Sequence, residues 1–409
     1  RGGFLLGAAS AVSLAIGLEM LLYLAAAGAV VALMWVRDPG EARRLAAYGA
    51  SLAAGCGIGF LLFASHDNRL AVCDALSPVW LTTLGAAGAA GVLLALLRID
   101  GWVKRLLIGA VAGLAVAAFY ALAWPHCLGR LEGSSPELEE MWLSRVREAR
   151  PIYTHSGLVM AGALALPAAG LIGYALMIWR HRPDAEALIP WAALAFVAIL
   201  PAALIFWQTR AGPAAQLLSI PGATALAWVL IAWVQGRPQM LVRVLGAVLA
   251  FYVVSGLAAQ NIVQQLKTDK PGKRQKAVNQ ANAPCPTLAA LRPIAQVPRG
   301  YVLTHVDLGP RLITVTHHDA VAGPYHRNGQ AILDVMKSFR GTPDYARRVI
   351  ERRGIDYVLI CPNMSESTIY QAEAPRGFYA QLADGKVPQW LEPVELPKDS
   401  PYRMWRVRR

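Results

Sequence analysis

The sequence predicts a polytopic α-helical membrane protein, with about eight transmembrane helices, followed by a small extracytoplasmic α/β domain. Hydrophobic residues make up 56% of the 409-residue chain and charged residues only 16%, whereas a soluble domain carries roughly a quarter. Residues 267–409 hold 22 Lys and Arg and 13 Asp and Glu, against 17 and 13 in the first 266 residues. This composition excludes a disordered or nucleic-acid-binding polypeptide and disfavours an ordinary soluble enzyme.

The membrane domain is predicted to occupy residues 1–266, and the lengths of its apolar segments define the spans. A helix needs about 20 predominantly apolar residues to cross the hydrocarbon core of a bilayer. The first segment is too long for one straight span, so we expect a short helix over 3–17 and a span over 18–36. The apolar segments lie at 3–36, 45–65, 79–97, 103–124, 157–179, 188–207, 214–234 and 239–263.

Lys and Arg in the short loops predict the orientation of the chain. Ten of them fall in alternate loops, whereas the opposite short loops contain only Arg69 and Arg210. Because positively charged loops stay in the cytoplasm, we expect the longer loop 125–156 and the C-terminal domain to lie outside. The ten residues are Arg37, Arg43, Arg44, Arg98, Lys104, Arg105, Arg180, Arg182, Arg237 and Arg243.

Four of the five cysteines fall in segments predicted to lie outside the cytoplasm, and Cys56 lies within a span. An even number of such cysteines suits an oxidising compartment and two disulfides. Cys73 and Cys127 follow spans on the same membrane face, so they are expected to pair. Cys285 would then pair with Cys361. The alternative is that all four are free thiols.

The polar, Lys-rich residues 267–286 predict a linker, and residues 287–409 are predicted to form the α/β domain. Strand patterns alternate with helix patterns in this region, which is typical of α/β folds. The predicted strands are 301–306, 311–316 and 355–361, and the predicted helices are 329–339 and 344–353.

Glu19 is a candidate catalytic residue because it lies inside an apolar run. A carboxylate within a span costs about 2.5–3.5 kcal/mol on insertion scales. The predicted topology places Glu19 near the outer end of its span, where it would serve as a supporting acid. The alternative is an interfacial acid that reaches the headgroups or pairs with a neighbouring span.

The short outer loop 206–213 is a candidate lipid-phosphate site, with Gln208 and Arg210 as its polar residues. A guanidinium at headgroup depth can bind a phosphate through two parallel hydrogen bonds. The alternative is that Arg210 is a general interfacial anchor beside Trp207.

A third candidate is the polar segment 316–328, which is predicted to follow a strand and precede a helix. Ligands often bind at such positions in α/β domains. Its spacing is poor for zinc, so we expect no metal and favour recognition of sugar or phosphate, or docking onto the membrane domain. The candidate binding residues are His317, His318, Tyr325, His326 and Arg327.

The loop 125–156 contains apolar residues at helical spacing. Leu138, Met141, Trp142 and Val146 predict an amphipathic helix lying at the membrane surface. The chain has no phosphate-binding glycine motif, no Ser/His/Asp nucleophile signature and no cysteine pair at zinc-finger spacing.

An ordered set of short motifs, covering roughly residues 3–362, resembles an alphaproteobacterial family of polytopic membrane proteins. That family is similar to the GT-C glycosyltransferases, which include the protein mannosyltransferases and the lipid A aminoarabinose transferase. Each motif has low specificity, and their order carries the resemblance. The motifs are Leu14–Glu19, Cys73–Ser77, Trp124–Leu128, Met141–Ala149, Gln208–Arg210 and Gly323–Asn328.

The resemblance implies a glycosyltransferase that binds a polyprenyl-phosphate-linked sugar donor in the bacterial inner membrane. Transfer would occur at the periplasmic face, with the C-terminal domain in the periplasm. No cofactor and no nucleic-acid partner are expected, and a divalent metal is the alternative left open. GT-C enzymes use an acid in their first extracytoplasmic loop. Because the chain begins at Arg1 and is apolar almost at once, we expect that loop, and the main base, to lie upstream. The role of that base is not transferred to Glu19.

The alternative from another class is a non-catalytic membrane protein, either a transporter or an assembly partner of the envelope polysaccharide machinery. Transporters commonly show inverted repeats and broken helices at mid-membrane. The sequence shows no internal repeat, which favours an interfacial enzyme. The donor sugar, the acceptor and the oligomeric state stay open.

Overall fold

A computed structural model describes residues 1–129, 133–266 and 273–408. By their mutual contacts these residues divide into two compact units. The membrane unit comprises the described residues of 1–133 and 147–267, and the C-terminal unit comprises those of 134–146 and 268–409.

The first 266 residues are almost entirely helical wherever the structure describes them. Seven helices in the described part of the chain are long and apolar enough to cross a membrane, or eight if a bent pair counts as one span. The predicted polytopic membrane fold is therefore confirmed. The helices are α1 (Gly2–Ile16), α2 (Leu21–Arg37), α3 (Ala42–Phe63), α4 (Pro78–Leu96), α5 (Trp102–Ala123), α6 (Pro136–Met141), α7 (Gly157–Arg180), α8 (Ala185–Leu204), α9 (Gly212–Gln235), α10 (Met240–Val254) and α11 (Leu257–Leu266).

The predicted division of the first apolar segment is confirmed. α1 ends at Ile16, Gly17 adopts an extended conformation, and a 3₁₀ turn over Leu18–Met20 leads into α2. α1 is too short to cross a bilayer by itself. It packs instead on α3, where Gly3 and Gly7 allow the two backbones to come close.

The segment 239–263, predicted as one span, is broken in the structure. α10 and α11 are bent by 76° relative to each other. Gly256, between them, has φ +82°, a left-handed conformation that ends helices and that glycine adopts without steric cost. The apolar composition of residues 239–263 predicts a membrane segment, but it does not predict that the helix bends within that segment.

Glycines mark the closest helix contacts of the membrane unit. A Cβ added at Gly49 or Gly88 would meet the carbonyl oxygen of the other residue, which brings α3 and α4 together. Gly173 and Gly222 form the same kind of contact between α7 and α9. Small residues at these crossings allow backbone packing where lipid removes the hydrophobic drive for association.

The C-terminal unit is a small α/β fold around a five-stranded sheet with the strand order β2-β1-β3-β5-β4. β1 pairs in parallel with both β2 and β3, whereas β5 pairs antiparallel with both β3 and β4. Its elements are α12 (Lys273–Asn282), α13 (Leu288–Leu291), β1 (Tyr301–Leu303), α14 (Gly309–Val315), β2 (Asp319–Ala320), α15 (Gly329–Arg340), α16 (Pro343–Arg353), β3 (Tyr357–Ile360), α17 (Ser367–Glu373), α18 (Phe378–Ala383), β4 (Leu391–Pro393) and β5 (Arg403–Val407).

The central strand β3 is buried on both faces. Val358 and Ile360 belong to one apolar cluster, whereas Tyr357 and Leu359 belong to another. A strand covered on both sides has a continuous apolar sequence, and this pattern made the strand predictable. The predicted strand at 301–306 and the two predicted helices are also confirmed, with slightly different ends.

The predicted strand at 311–316 is wrong, because this segment is helix α14. Its β-branched residues suggested a strand, but Pro310 stands in the first turn, where proline favours a helix. Leu312 is fully buried while Ile313 is 49% exposed, so the helix buries one face only. The edge strand β2 follows at Asp319–Ala320.

Residues 134–146 belong to the C-terminal unit by their contacts, which differs from the expectation of a helix on the membrane surface. Leu138 is buried in the core of this unit and lies over Gly329, at the start of α15. Glu137 forms an ion pair with Lys337 at 2.6 Å, and Arg145 forms one with Glu373. The apolar face of the segment is therefore covered by protein.

Both predicted disulfides are confirmed. Cys73 is bonded to Cys127 with a Cα–Cα distance of 5.5 Å, and Cys285 is bonded to Cys361 at 6.3 Å. The first links the start of α4 to the end of α5, and the second links the chain after α12 to the end of β3. Cys56 is free and buried.

Candidate functional site

Glu19 lies at the break between α1 and α2, where it is exposed. Its carboxylate occupies the space in which a Cβ of residue 17 would stand, so the glycine at that position makes room for it. The helical path is interrupted at the same point. The carboxylate of Glu19 is therefore exposed at a break in the helical path.

Arg210 lies in a short 3₁₀ turn, Thr209–Ala211, between α8 and α9. The main-chain N–H and the hydroxyl of Thr209 both donate to the carbonyl of Arg150, at 2.9 and 2.6 Å. Ile152 donates its N–H to the carbonyl of Ile205 at 3.2 Å. These bonds fix the turn against residues 150–152, so the loop has a defined shape.

Buried apolar side chains also support the turn that contains Arg210. Ile152, Ile205, Ala211 and Ala215 form an apolar cluster beneath the turn. Gln208 is largely buried, whereas Arg210 is exposed. The arrangement places an exposed arginine on a fixed turn, so the backbone of the turn loses little conformational entropy if the side chain binds an anion.

In the C-terminal unit, His318 has a structural role. It is buried; its Nδ1 accepts the N–H of Gly300 at 3.2 Å, so its Nε2–H donates to the carbonyl of Ile294 at 2.9 Å. His317 bonds the carbonyl of Val297 through Nε2 at 2.8 Å. The two rings therefore attach β2 to the preceding segment, and both nitrogens of His318 are occupied.

Tyr325, His326 and Arg327 lie in the loop between β2 and α15. Tyr325 is 57% exposed, and the other two form a short 3₁₀ turn before the helix. At the start of this loop the carbonyl oxygen of Ala322 lies against Gly309, whose lack of a side chain permits the contact. The loop after β2 is therefore packed on the loop that follows β1.

The loops after β1 and β3 contain a buried polar cluster that the sequence analysis missed. The carboxylate of Glu366 accepts the main-chain N–H groups of Val306 and Asp307, each at 2.8 Å, and the hydroxyl of Tyr370. His305 accepts the N–H of Cys361 through Nε2 at 3.2 Å. Because β1 and β3 are parallel, these groups meet at the carboxyl edge of the sheet.

The environment shifts the pKa values of these groups. Burial lowers the pKa of His305 to about 4, so the ring is neutral at physiological pH. Burial of the carboxyl group, together with the charge of Glu366, raises the pKa of Asp307 to about 6, although the residue as a whole keeps contact with solvent. Burial also raises the pKa of Glu366. Perturbed titratable groups of this kind are concentrated at functional sites.

A positional signal in the sequence could have revealed this cluster. His305 and Asp307 lie at the end of the first predicted strand, 301–306, and Glu366 follows the buried strand at 355–361. The ends of parallel strands lie at one edge. The sequence analysis singled out the denser group at 316–328 instead, of which His317 and His318 prove to support the backbone.

Among the described residues, the set with metal-ligand spacing is Cys73, His126 and Cys127. The two cysteines form a disulfide, so their thiolates are not available as ligands. The ring of His126 instead contacts the carbonyl of Ala71 at 3.1 Å.

No family model matches the chain, and no curated protein matches it. Among solved structures, it is similar to the oligosaccharyltransferase AglB from Archaeoglobus fulgidus in complex with an inhibitory peptide and a dolichol-phosphate. The TM-score is 0.56 at 16% identity, over 90% of this chain and 48% of that chain. An oligosaccharyltransferase from Archaeoglobus fulgidus tethered with an acceptor peptide gives a TM-score of 0.56 at 15% identity, over 92% of this chain and 49% of that chain.

The apo form of that enzyme gives a TM-score of 0.53 at 16% identity, over 90% of this chain and 48% of that chain. The chain thus spans about half the length of the solved structures that it matches. At this level of identity the likeness shows the fold alone. The chain therefore shares its fold with these structures.

Proposed function

We propose that the protein is a GT-C-type glycosyltransferase that takes its sugar from a polyprenyl-phosphate-linked donor. The observation that carries this proposal is the fold, which is similar over 90% of the chain to an oligosaccharyltransferase solved with dolichol-phosphate. The order of motifs along the sequence points to the same superfamily.

The donor phosphate binds at the turn that holds Arg210. The hydrogen bonds from Thr209 to Arg150 and the apolar cluster beneath the turn keep the backbone of the turn in place. A planar guanidinium can form two parallel bonds to a phosphate, and such charged bonds are stronger than neutral ones. Gln208 supports the turn from its largely buried position.

Glu19 lies at the same membrane face as Arg210 in the proposed topology, because α2 and the spans after it cross the membrane alternately. It acts there as a supporting acid that orients the acceptor or a water molecule. In the transfer step a carboxylate takes the proton of the acceptor hydroxyl. The acceptor oxygen bonds to C1 of the sugar as the bond from C1 to the phosphate oxygen breaks, and polyprenyl phosphate leaves.

The acceptor binds to the C-terminal unit at the carboxyl edge of its sheet. Asp307, a residue that keeps contact with solvent, offers a carboxyl group whose pKa is raised to about 6, and Glu366 holds the backbone beneath it. Tyr325, His326 and Arg327, in the loop after β2, add hydrogen-bonding groups. His317 and His318 lie at the opposite, amino edge of the sheet, where their bonds to the backbone attach β2 to the segment before β1.

Donor binding is tested with Arg210→Lys and Arg210→Ala in nanodiscs that contain polyprenyl phosphate. Arg210→Lys keeps the charge but loses the planar fork, so binding should weaken. Arg210→Ala should weaken it further, by about 1.5–3 kcal/mol. Arg69→Ala is the matched control, since Arg69 is the other cation in the short outer loops. Unchanged affinity in Arg210→Ala, with unchanged thermal stability, would show that Arg210 is only an interfacial anchor.

We also propose that the C-terminal unit is in the periplasm and the spans are in the bacterial inner membrane. The ten-to-two ratio of Lys and Arg in alternate short loops supports this orientation, and the disulfide between Cys73 and Cys127 suits an oxidising compartment. A phosphatase reporter that is active only in the periplasm should be active when fused after Arg409. The same reporter fused after Arg182 should be inactive, and the reverse result would overturn the topology.

A further inference from the structure

The end of α2 and the start of α5 enclose a crevice that the proposed function does not use. Its cavity has a volume of about 380 Å³ and is lined by Leu33, Val36, Arg37 and Trp102. Leu33, Val36 and Arg37 are spaced three and four residues apart, so they share one face of α2. The crevice thus combines an apolar wall, an aromatic ring and one guanidinium.

A buried arginine holds the two walls of this crevice together. Arg105, on the first turns of α5, is only 6% exposed. Its guanidinium donates to the carbonyl oxygens of Val36 at 2.9 Å, Ile99 at 3.0 Å and Arg37 at 3.2 Å. These bonds satisfy carbonyls at the C-terminus of α2 and counter the negative end of its dipole. The crevice is therefore rigid, and its electrostatic environment suits an anion.

The charge at this end of the helices is positive. Residues 37–44 and 98–105 contain six Lys and Arg against three Asp and Glu. Arg105 is engaged with backbone carbonyls, and Arg44 pairs with Glu41 at 2.9 Å. Arg37 remains exposed at the crevice. Trp102 is 60% exposed beside it, and tryptophan is enriched at the level of lipid headgroups.

We propose that this crevice binds an anionic phospholipid. The headgroup phosphate bonds to Arg37, Trp102 lies against the glycerol and ester region, and the upper part of an acyl chain packs on Leu33 and Val36. A ligand with a negative head and an apolar tail is complementary to a cation above an apolar wall. The proposal does not depend on glycosyltransferase activity.

The position along α2 selects a phospholipid over the polyprenyl phosphate donor. Arg37 is at the opposite end of α2 from Glu19, and the spans between α2 and Arg210 place Arg210 at the face of Glu19. The crevice therefore opens to the other leaflet, which is the cytoplasmic one in the proposed orientation. The donor and the phospholipid would occupy separate sites.

Native mass spectrometry of the whole protein, released from nanodiscs, tests the proposal. The nanodiscs contain phosphatidylglycerol, phosphatidylcholine alone, or phosphatidylcholine with polyprenyl phosphate. The parent protein should retain phosphatidylglycerol and not phosphatidylcholine. Arg37→Gln should weaken retention roughly tenfold, as expected when one charged contact is lost, and Arg37→Lys should weaken it less.

Arg43→Gln is the matched control, because Arg43, in the first turn of α3, is an exposed cation that does not line the crevice. Trp102→Ala should also reduce retention, whereas Trp102→Phe should largely preserve it. Equal retention in Arg37→Gln and the parent would overturn the site. An equal loss in Arg43→Gln would show general surface attraction, and loss of polyprenyl phosphate instead of phosphatidylglycerol in Arg37→Gln would overturn the choice of ligand.

Discussion

The two units of this protein build their interiors in opposite ways. The membrane unit brings helix backbones together through glycines, as at Gly173 and Gly222 between α7 and α9. The C-terminal unit fills its core with large rings, among them Phe339, Tyr370 and Tyr379, whose centroids lie 5.2–6.0 Å apart. Removal of apolar area from water stabilises the second unit. Lipid offers no such gain, so close packing stabilises the first.

The comparison predicts that one added side chain at a helix crossing is the most damaging change. In Gly173→Leu the new Cβ would overlap the carbonyl oxygen of Gly222, which cannot move without displacing α9. We expect loss of the α7–α9 contact and no monodisperse protein in detergent. Gly113→Leu on α5 is the control, because a Cβ there meets nothing within 4 Å. A monodisperse Gly173→Leu protein with the parent melting temperature would break the comparison.

In the C-terminal unit, we expect the loss of one aromatic ring from the core to be the comparably destabilising change. Phe339 is fully buried and lies 5.6 Å from the ring of His305. Phe339→Ala should cost about 3–5 kcal/mol through lost burial and the cavity left behind. Hydrogen exchange of β3 peptides in the whole protein measures this, with Ile313→Ala at a half-exposed position as the control. Parent-like protection of β3 in Phe339→Ala would contradict the ring-based core.

The two disulfides allow a direct test of how the units differ when unfolded. Replacing Cys285 and Cys361 with Ala should cost about 2–4 kcal/mol, because an unfolded soluble chain gains much freedom when the cross-link is lost. Replacing Cys73 and Cys127 should cost less, since helices held in lipid remain restricted. Hydrogen exchange of the peptides around each cysteine pair measures the two losses of stability. A larger cost for the pair in the membrane unit would reverse this expectation.

The smallest expected effect is on the pH dependence of the C-terminal unit. Because folding lowers the pKa of His305 from 6.5 to about 4, its contribution to stability declines as the pH falls through that window. Folding raises the pKa of Asp307 from 3.8 to about 6, so its contribution grows as the pH falls from 6 to 3.8. The two contributions oppose each other.

Asp307→Asn removes one of these opposing contributions. It also removes a negative charge that raises the pKa of His305, so the variant should lose stability more steeply than the parent between pH 6.5 and 4. The raised pKa of Glu366 acts in the same direction as that of Asp307 and is present in both proteins. Stability of β1 and β3 by hydrogen exchange at several pH values tests this. If the stabilities of Asp307→Asn and of the parent changed in parallel with pH, His305 and Asp307 would not be coupled.

Sequence alone determined the features that depend on local composition. The membrane and α/β regions follow from the distribution of apolar and charged residues, and the break at Gly17 follows from the length of the first apolar segment. The two cysteine pairs were predicted from the side of the membrane on which the loop charges place each cysteine. Strand β3 follows from its continuous apolar run. These properties are set by a solvent that acts on each segment separately.

Only the tertiary structure decided which surfaces cover each other. Residues 134–146 have an amphipathic pattern that suits either a membrane surface or a protein core. They pack on the protein core, where the absence of a side chain at Gly329 leaves space for Leu138. α14 has the composition of a strand, but its position beside β1 buries only one face. His305 is far along the chain from Glu366 and Tyr370, and the three residues meet because parallel strands place their carboxyl ends at one edge. A pattern along the sequence records which side chains avoid water but not the partner that shields them.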